Sequence, residues 1–352
     1  MLIYRSEWLN PTEGFVADHA AALRRYAPVT MGLRTPAGAL PPAPDHWACG
    51  TPQPARAIRY GFRAFGLGAR SLPPVSLIHA HFATDALDML PLARKLGVPL
   101  LVTLHGYDVG VARRPPWRGD GLHWRWKRDR LMRETLLFLP VSRWLSTAAE
   151  AAGFPTSKLR LHYLGTALPA QHEHDRQGIV FVGRLVARKG VSDVIAALAL
   201  LAQRGIVVPL TVVGDGPERA AAEALATALG VPAHFCGTLA SGATRRLMAN
   251  AKALVLPSRQ DAFGLVLIEA QAAGTPVIAY DGTGAREAIG PGGRLVPPGD
   301  LAALADVIGQ FVADEAGWRA ASSMARTHAS AHFDLAERTA LLEALYDSVL
   351  GQ

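Results

Sequence analysis

Apolar residues gather in short blocks along the chain, and most successive blocks are separated by a stretch of helix-forming residues. Blocks over 3–5, 28–33, 76–80 and 100–104 in the first half, and over 179–182, 210–213, 233–236, 253–256 and 277–280 in the second, read as strands. They are runs rather than alternations, the pattern of strands covered on both faces. Predicted helices fall over 15–26, 85–96, 265–273, 301–316 and 335–349. This strand–helix alternation predicts an α/β chain with parallel sheets. Residues 34–56, rich in Pro, Gly and Ala, read as a long loop. Past Gly165 a polar run, Gln171-His-Glu-His-Asp-Arg-Gln-Gly178, predicts a linker over 165–177 with His172 and His174 solvated.

Length and composition narrow the picture. With 352 residues, two domains are expected, each able to bury a core. Half the residues are hydrophobic and 18% charged, a globular composition. No apolar run approaches the ~20 residues that span a bilayer, and Arg5 and Glu7 bring charge too early for a secretory signal. Cys49 and Cys236 lie in different halves without metal-ligand spacing, which fits unpaired thiols in a reducing cytosol. The net charge of +7 and pI near 9.7 favour anionic partners, nucleotides or acidic lipid. Nucleic acid is set aside, because no zinc, helix-turn-helix or aromatic RNA-binding pattern accompanies the charge.

The most informative stretch runs from Leu254 to Ala279. A strand ends at Pro257, a polar turn carries Asp261, Phe263-Gly264 breaks the chain, and a helix from Leu265 stops at Gly274 and Pro276. A loop at the carboxyl end of a strand thus feeds a helix N-terminus, a place suited to phosphate. Asp261 and Glu269 would lie roughly 12 Å apart on one continuous helix, farther than either glycosidase carboxylate pair, about 5 or 6.5–9.5 Å. Separate jobs along one long ligand suit them better; either acid alone would ordinarily be a cap or a solvated charge.

A second element is Phe181-Val-Gly183-Arg184-Leu-Val-Ala-Arg188-Lys189-Gly190, where a strand end is followed by a guanidinium fork and a compact ammonium, a combination suited to a diphosphate. Leu210-Thr-Val-Val-Gly214-Asp-Gly216-Pro217 superficially suggests a dinucleotide fingerprint, but Arg219 stands where the third glycine belongs. In the first half, His105-Gly106-Tyr107-Asp108 follows a strand end, and Gly14 sits in the first strand–helix loop. His79 and His81 alternate on one strand without a third metal ligand at convincing spacing, so no metal is expected; they read as core or acceptor-side histidines. Residues 113–133 concentrate cations with three tryptophans, among them Trp124, Arg125, Lys127 and Arg128, either an interfacial helix or a solvated basic one whose tryptophans pack inward.

Taken together, Pro-Ser-x-x-acid-x-Phe-Gly-Leu-x-Leu-x-Glu-Ala, Gly-Arg-Leu…Arg-Lys-Gly, Gly-Asp-Gly-Pro and Thr-x-His-Gly-x-Asp resemble the retaining family 4 glycosyltransferases. The likeness covers nearly the whole chain. Asp261 departs from it, since the family's first acid is usually Glu, and the N-terminus lacks the usual paired glycines near Gly14. The resemblance implies a GT-B fold: two Rossmann-like domains with a cleft between them, 1–168 with 332–352 on the acceptor side and 169–331 on the nucleotide-sugar side. It implies a nucleotide-diphosphate sugar as donor substrate, no bound cofactor or metal, and a glycan or lipid-linked acceptor. It implies Arg184 and Lys189 on the phosphates, Glu269 on the ribose, Asp261 on the donor sugar and His105 beside the reacting carbon. Gly14, Gly183, Gly214, Gly216, Gly237, Leu239, Phe263, Gly264, Leu265 and Val266 would border the donor. His79, His81, Asp108, Trp124, Arg125, Lys127 and Arg128 are candidates for the acceptor or an anionic membrane, in a cytoplasmic enzyme peripheral to the inner face of that membrane and serving polysaccharide assembly. A GT-B epimerase and a non-catalytic nucleotide-sugar binder stay open as alternatives.

Overall fold

In the computed structural model, which describes residues 1–10, 13–36, 38–39, 42–65, 72–112, 121–169 and 176–351, the apolar blocks become strands of two parallel sheets. The chain divides into two units, Met1–Tyr163 with Ala336–Gln352, and Leu164–Leu335. Each sheet has six strands among the described residues. The run 171–175, with His172 and His174, lies outside the described residues.

The first unit runs β1 (Leu2–Glu7), α1 (Gly14–Ala22), β2 (Val29–Arg34), β3 (His46–Trp47), α2 (Arg56–Phe65), β4 (Ile78–His81), α3 (Ala83–Leu96), β5 (Leu100–Leu104), α4 (Tyr107–Ala112), α5 (Gly121–Glu134), β6 (Leu137–Pro140) and α6 (Arg143–Ala151). Its strand order is β3-β2-β1-β4-β5-β6. The winding reverses between β1 and β4, and in such sheets ligands bind outside the carboxyl ends of the strands at that reversal. All four residues of β4 are buried, as a strand covered on both faces requires.

The second unit repeats the plan with β7 (Ile179–Val182), α7 (Val191–Gln203), β8 (Leu210–Val213), α8 (Arg219–Ala228), β9 (Ala233–Gly237), α9 (Ser241–Ala249), β10 (Ala253–Leu256), α10 (Leu265–Ala272), β11 (Val277–Tyr280), α11 (Ala285–Ala288), β12 (Arg294–Val296), α12 (Leu301–Ala313) and α13 (Glu315–Phe333). Its order is β12-β11-β10-β7-β8-β9, so the reversal lies between β7 and β10. The chain then returns to the first unit as α14 (Leu335–Leu350), where Leu342 and Tyr346 join a core with Ile3, Leu101 and Leu139.

Three expectations need correction. Residues 301–316 form two helices, because the Asp314 carboxylate accepts the Gly317 N–H at 2.9 Å and starts a new one. The helix expected over 15–26 ends at Ala22, since the buried Glu343 carboxylate takes the N–H groups of Arg24, Arg25 and Tyr26 at 2.8, 2.7 and 3.3 Å. The long loop over 34–56 contains β3, and the unexpected α2 follows it.

Candidate functional site

In the second unit the carboxyl ends of β7, β8 and β9 are stitched together by glycines. Gly183 donates its N–H to the Val213 carbonyl at 3.0 Å, and Gly214 donates to the Gly237 carbonyl at 2.8 Å. A Cβ on Gly214 would sit 1.9 Å from the Gly183 oxygen, and one on Gly216 would sit 2.3 Å from the Leu185 oxygen. Those glycines are there for close backbone approach. Gly237 follows an irregularity in the β8–β9 register, and Leu239 just beyond it is half-buried.

Beyond Gly183 the chain makes a short 3₁₀ turn, Ala187–Lys189, and Gly190 turns it into α7. Gly190 packs so tightly on the exit of β10 that a Cβ would lie 2.5 Å from the Pro257 oxygen. This contact brings the loops after β7 and β10 together. Arg259 donates its N–H to the Arg188 carbonyl at 2.8 Å, and the Lys189 ammonium lies 2.7 Å from Asp261 Oδ2. Both partners are largely sheltered, their side chains 17% and 13% exposed. Asp261 is fixed from the far side too, its carbonyl accepting the Gly284 N–H at 2.9 Å. Phe263 is buried against Phe333, ring centroids 5.5 Å apart, and Gly264 starts α10 with φ of +85°. No side chain caps that N-terminus, so the amides of its first turn, at Leu265 and Val266, keep the partial positive charge of a helix start. Arg184 is exposed, with no ion pair among the described residues, and Glu269 lies half-buried on α10.

The first unit's carboxyl edge is built from side chains. The buried Arg5 guanidinium grips Glu13 through two nitrogens, at 2.8 and 2.9 Å, and also pairs with Asp85. It lies 4.3 Å from the Phe82 ring centre. Phe82 has a φ of +72°, strain of about 1–3 kcal/mol that persists only where surroundings enforce it. Its ring and that of Phe15 flank His105, at 4.5 and 4.9 Å. His105 Nε2 hydrogen-bonds His81 Nδ1 at 3.1 Å. Burial holds both imidazoles well below their usual pKa, so both are neutral at pH 7. Gly14, the first residue of α1, follows the clamped Glu13. Sequence reasoning missed Arg5, Phe82 and Phe15; an arginine inside an apolar strand was the one available signal, since it demands buried acids.

Several acceptor candidates are engaged within the fold. His79 has both nitrogens engaged, by the Tyr346 hydroxyl at 2.6 Å and the Thr103 hydroxyl at 2.7 Å. Asp108 is fully buried and accepts four backbone N–H groups, from Ala83, His105, Gly106 and Val109, at 2.8–3.2 Å. Burial outweighs those bonds and lifts its pKa to about 6. Trp124 is buried against Phe154. Lys127 donates to the Arg63 carbonyl at 2.6 Å, and Arg128 donates to the Ala152 carbonyl at 3.0 Å, beyond the end of α6. Of the named basic residues only Arg125 is exposed, and positions 113–120 lie outside the described residues. Among the described residues no three His, Cys, Asp or Glu side chains are grouped to hold a metal ion.

Two family models match the chain, Glycosyltransferase Family 4 over residues 15–168 and Glycosyl transferases group 1 over residues 168–328. The chain is 30% identical over 291 residues to glycogen synthase of Mycobacterium tuberculosis, covering 79% of this chain and 70% of the relative. It is 27% identical over 330 residues to an MMP α-(1→4)-mannosyltransferase of Mycolicibacterium hassiacum, covering 87% and 78%. Similar solved structures include HepE of Anabaena in complex with UDP and glucose, with a TM-score of 0.79 at 20% identity, and sucrose-phosphate synthase of Thermosynechococcus elongatus, with 0.80 at 21%; each comparison covers 99% of both chains.

Proposed function

The chain belongs to the glycosyl transferases group 1 family, with the two-domain GT-B fold, and from that premise we propose that it transfers a hexose from a nucleoside-diphosphate donor to a glycan or lipid-linked acceptor with retained anomeric configuration. The observation that carries this reading is the Lys189–Asp261 pair beside the uncapped start of α10, at the reversal point of the second sheet. A cation and a helix N-terminus there suit a diphosphate. The donor-side relatives support the same ligand class: HepE is solved with UDP and glucose, and one relative is a mannosyltransferase.

On this reading the diphosphate takes over Lys189 from Asp261, with the exposed Arg184 as second cation. The released carboxylate of Asp261 and the amides at Phe263, Gly264 and Leu265 then hold hydroxyls of the donor sugar, and Glu269 holds the ribose. As the sugar departs, negative charge grows on the diphosphate, where Lys189, Arg184 and the α10 N-terminus stabilise it. These cations do the work that a metal ion does in other transferases, so the proposed reaction is metal-independent. His105, neutral and wedged between two phenylalanine rings, lies beside the cationic sugar centre in this scheme. No side chain is assigned as a covalent nucleophile, and attack from the face of departure accounts for retention. The acceptor is a growing polysaccharide or glycolipid at the cytoplasmic side of the membrane.

The test is a thermal-shift panel of nucleoside diphosphates and their sugars, followed by product analysis. One donor at 100 times its Kd adds about 2.7 kcal/mol to stability, and its product keeps the donor's anomeric configuration. No response to any nucleoside diphosphate sinks the proposal. Donor binding without transfer would leave a nucleotide-sugar binding protein, a reading that Asp261 in place of the family's glutamate favours.

A further inference from the structure

Helix α2 is amphipathic with its apolar side turned outward. At about 100° per residue, Ala57, Ile58, Gly61 and Phe65 fall on one side and Arg59, Phe62 and Arg63 on the other. A surface helix normally buries the first set. Here Ile58 is 52% and Phe65 67% exposed, whereas Phe62 is fully buried and the Arg63 guanidinium turns in to the buried Asp88 at 3.2 Å. Helix α5 continues the surface: its Lys127 reaches the Arg63 carbonyl, and the neighbouring Trp126 is 86% exposed.

Charge identifies the occupant. Helix α2 carries three arginines and no acid, and α5 carries five cations and two acids. The pair therefore holds a net +6 against +7 for the whole chain. We propose that Ile58, Phe65 and Trp126 insert into the interfacial zone of an anionic bilayer, with the exposed Arg125 and Arg133 of α5 lying against its headgroups. Exposed aromatics at headgroup depth and cations beside them are the two requirements of such a surface. Among the described residues no helix is long and apolar enough to cross a membrane, so the contact is a docking one. The inference deepens the lipid-linked acceptor of the proposed function, because docking would bring the first unit to membrane-held acceptors. It replaces Trp124, Lys127 and Arg128 as side chains that touch lipid, since those serve the fold.

The test is co-sedimentation of the full chain with vesicles of phosphatidylcholine alone and of phosphatidylcholine mixed with phosphatidylglycerol. Binding is expected only to the mixed vesicles, weakening with added salt, with a blue shift of tryptophan emission that Trp126→Phe diminishes. Phe65→Ser and Trp126→Ser should each weaken binding by about ten-fold while donor-induced thermal shifts stay as in the parent. The proposal is overturned by absence of binding to anionic vesicles, by Ser variants that bind like the parent, or by a dimer in solution that Phe65→Ser dissociates. The donor-induced shift in the same preparations separates the two claims. A donor response without vesicle binding removes the docking surface alone, and vesicle binding without a donor response removes the enzymatic reading.

Discussion

The two sheets share one strand order, yet their carboxyl edges are made of different material. In the second unit the edge is backbone: Gly183, Gly214 and Gly237 draw the strand ends together, and one sheltered ion pair, Lys189–Asp261, sits beside a helix start. In the first unit the edge is side chain: a buried arginine between two acids, a strained phenylalanine and a row of neutral histidines. On the proposed reading, a backbone cradle suits a ligand with the same diphosphate every time. On the same reading, a side-chain floor held by long-range contacts is the part that can be remodelled for different acceptors.

The largest expected difference between the units is their response to acid. Burial holds His19 at a pKa of about 4 and His79 at about 3, and pushes His81, His105 and His162 well below 6.5. In the unfolded chain each takes a proton near 6.5, so the unfolded state binds more protons and stability drains as the pH falls below that value. His19 and His79 each contribute roughly 2 kcal/mol of loss between pH 7 and 5, and His81, His105 and His162 act in the same direction. Asp88, raised by burial to about 7, and Asp108, raised to about 6, act in the opposite sense, because the fold holds their protons more tightly. Five groups against two leave the first unit weaker at pH 5 than at pH 7. Among the described histidines of the second unit only His328 shows a burial-lowered pKa. Urea melts followed by tryptophan emission check this, since six of the seven tryptophans lie in residues 1–163. A first unit as stable at pH 5 as at pH 7 would mean that its histidines are hydrated.

Next in size is a pair of single substitutions. Arg5→Met leaves Glu13 and Asp85 buried, at 9% and 5% exposure, without their cation, and should cost about 3–5 kcal/mol of stability. Lys189→Ala leaves one sheltered carboxylate, Asp261, without its cation and should cost a smaller amount, about 1–3 kcal/mol of stability, while cutting turnover roughly 10²–10³-fold. Denaturant melts and initial rates on both variants check the contrast. Equal stability losses would erase the distinction between a structural floor and a ligand cradle.

The contrast also explains what was legible. Strand blocks such as 253–256 and 277–280, and the turn with Asp261 and Gly264, could be read because backbone sites depend on glycines, prolines and charges at fixed local spacing. The Arg5–Asp85 contact spans eighty positions and leaves no local period, so Phe82 and its strain were invisible. Helix α2 was missed for another reason: Arg63 turns in to the buried Asp88 while Ile58 and Phe65 face outward, the inverse of the usual amphipathic pattern. Asp314 was mistaken for a residue inside a helix, although an acid three positions before Gly317 can as well cap one. His79 and Asp108 carried the right chemistry for a site, and only tertiary contacts show it spent on Tyr346, Thr103 and four backbone amides.

The smallest effect sharpens the comparison most. If Asp261 holds the Lys189 ammonium until a diphosphate arrives, every binding event must first break that pair, and the carboxylate must recover its loss on the donor sugar. Asp261→Asn removes the competitor and weakens the grip on sugar hydroxyls at once. A nucleoside diphosphate lacking the sugar should then bind a few-fold more tightly, worth about 1 kcal/mol, the ordinary net value of one such contact. The complete donor should gain less or lose, and transfer should slow. Titration calorimetry with both ligands on parent and variant reads the two signs directly. Equal shifts for both ligands would show that Asp261 only props up the lysine, which would make the second unit's edge as structural as the first.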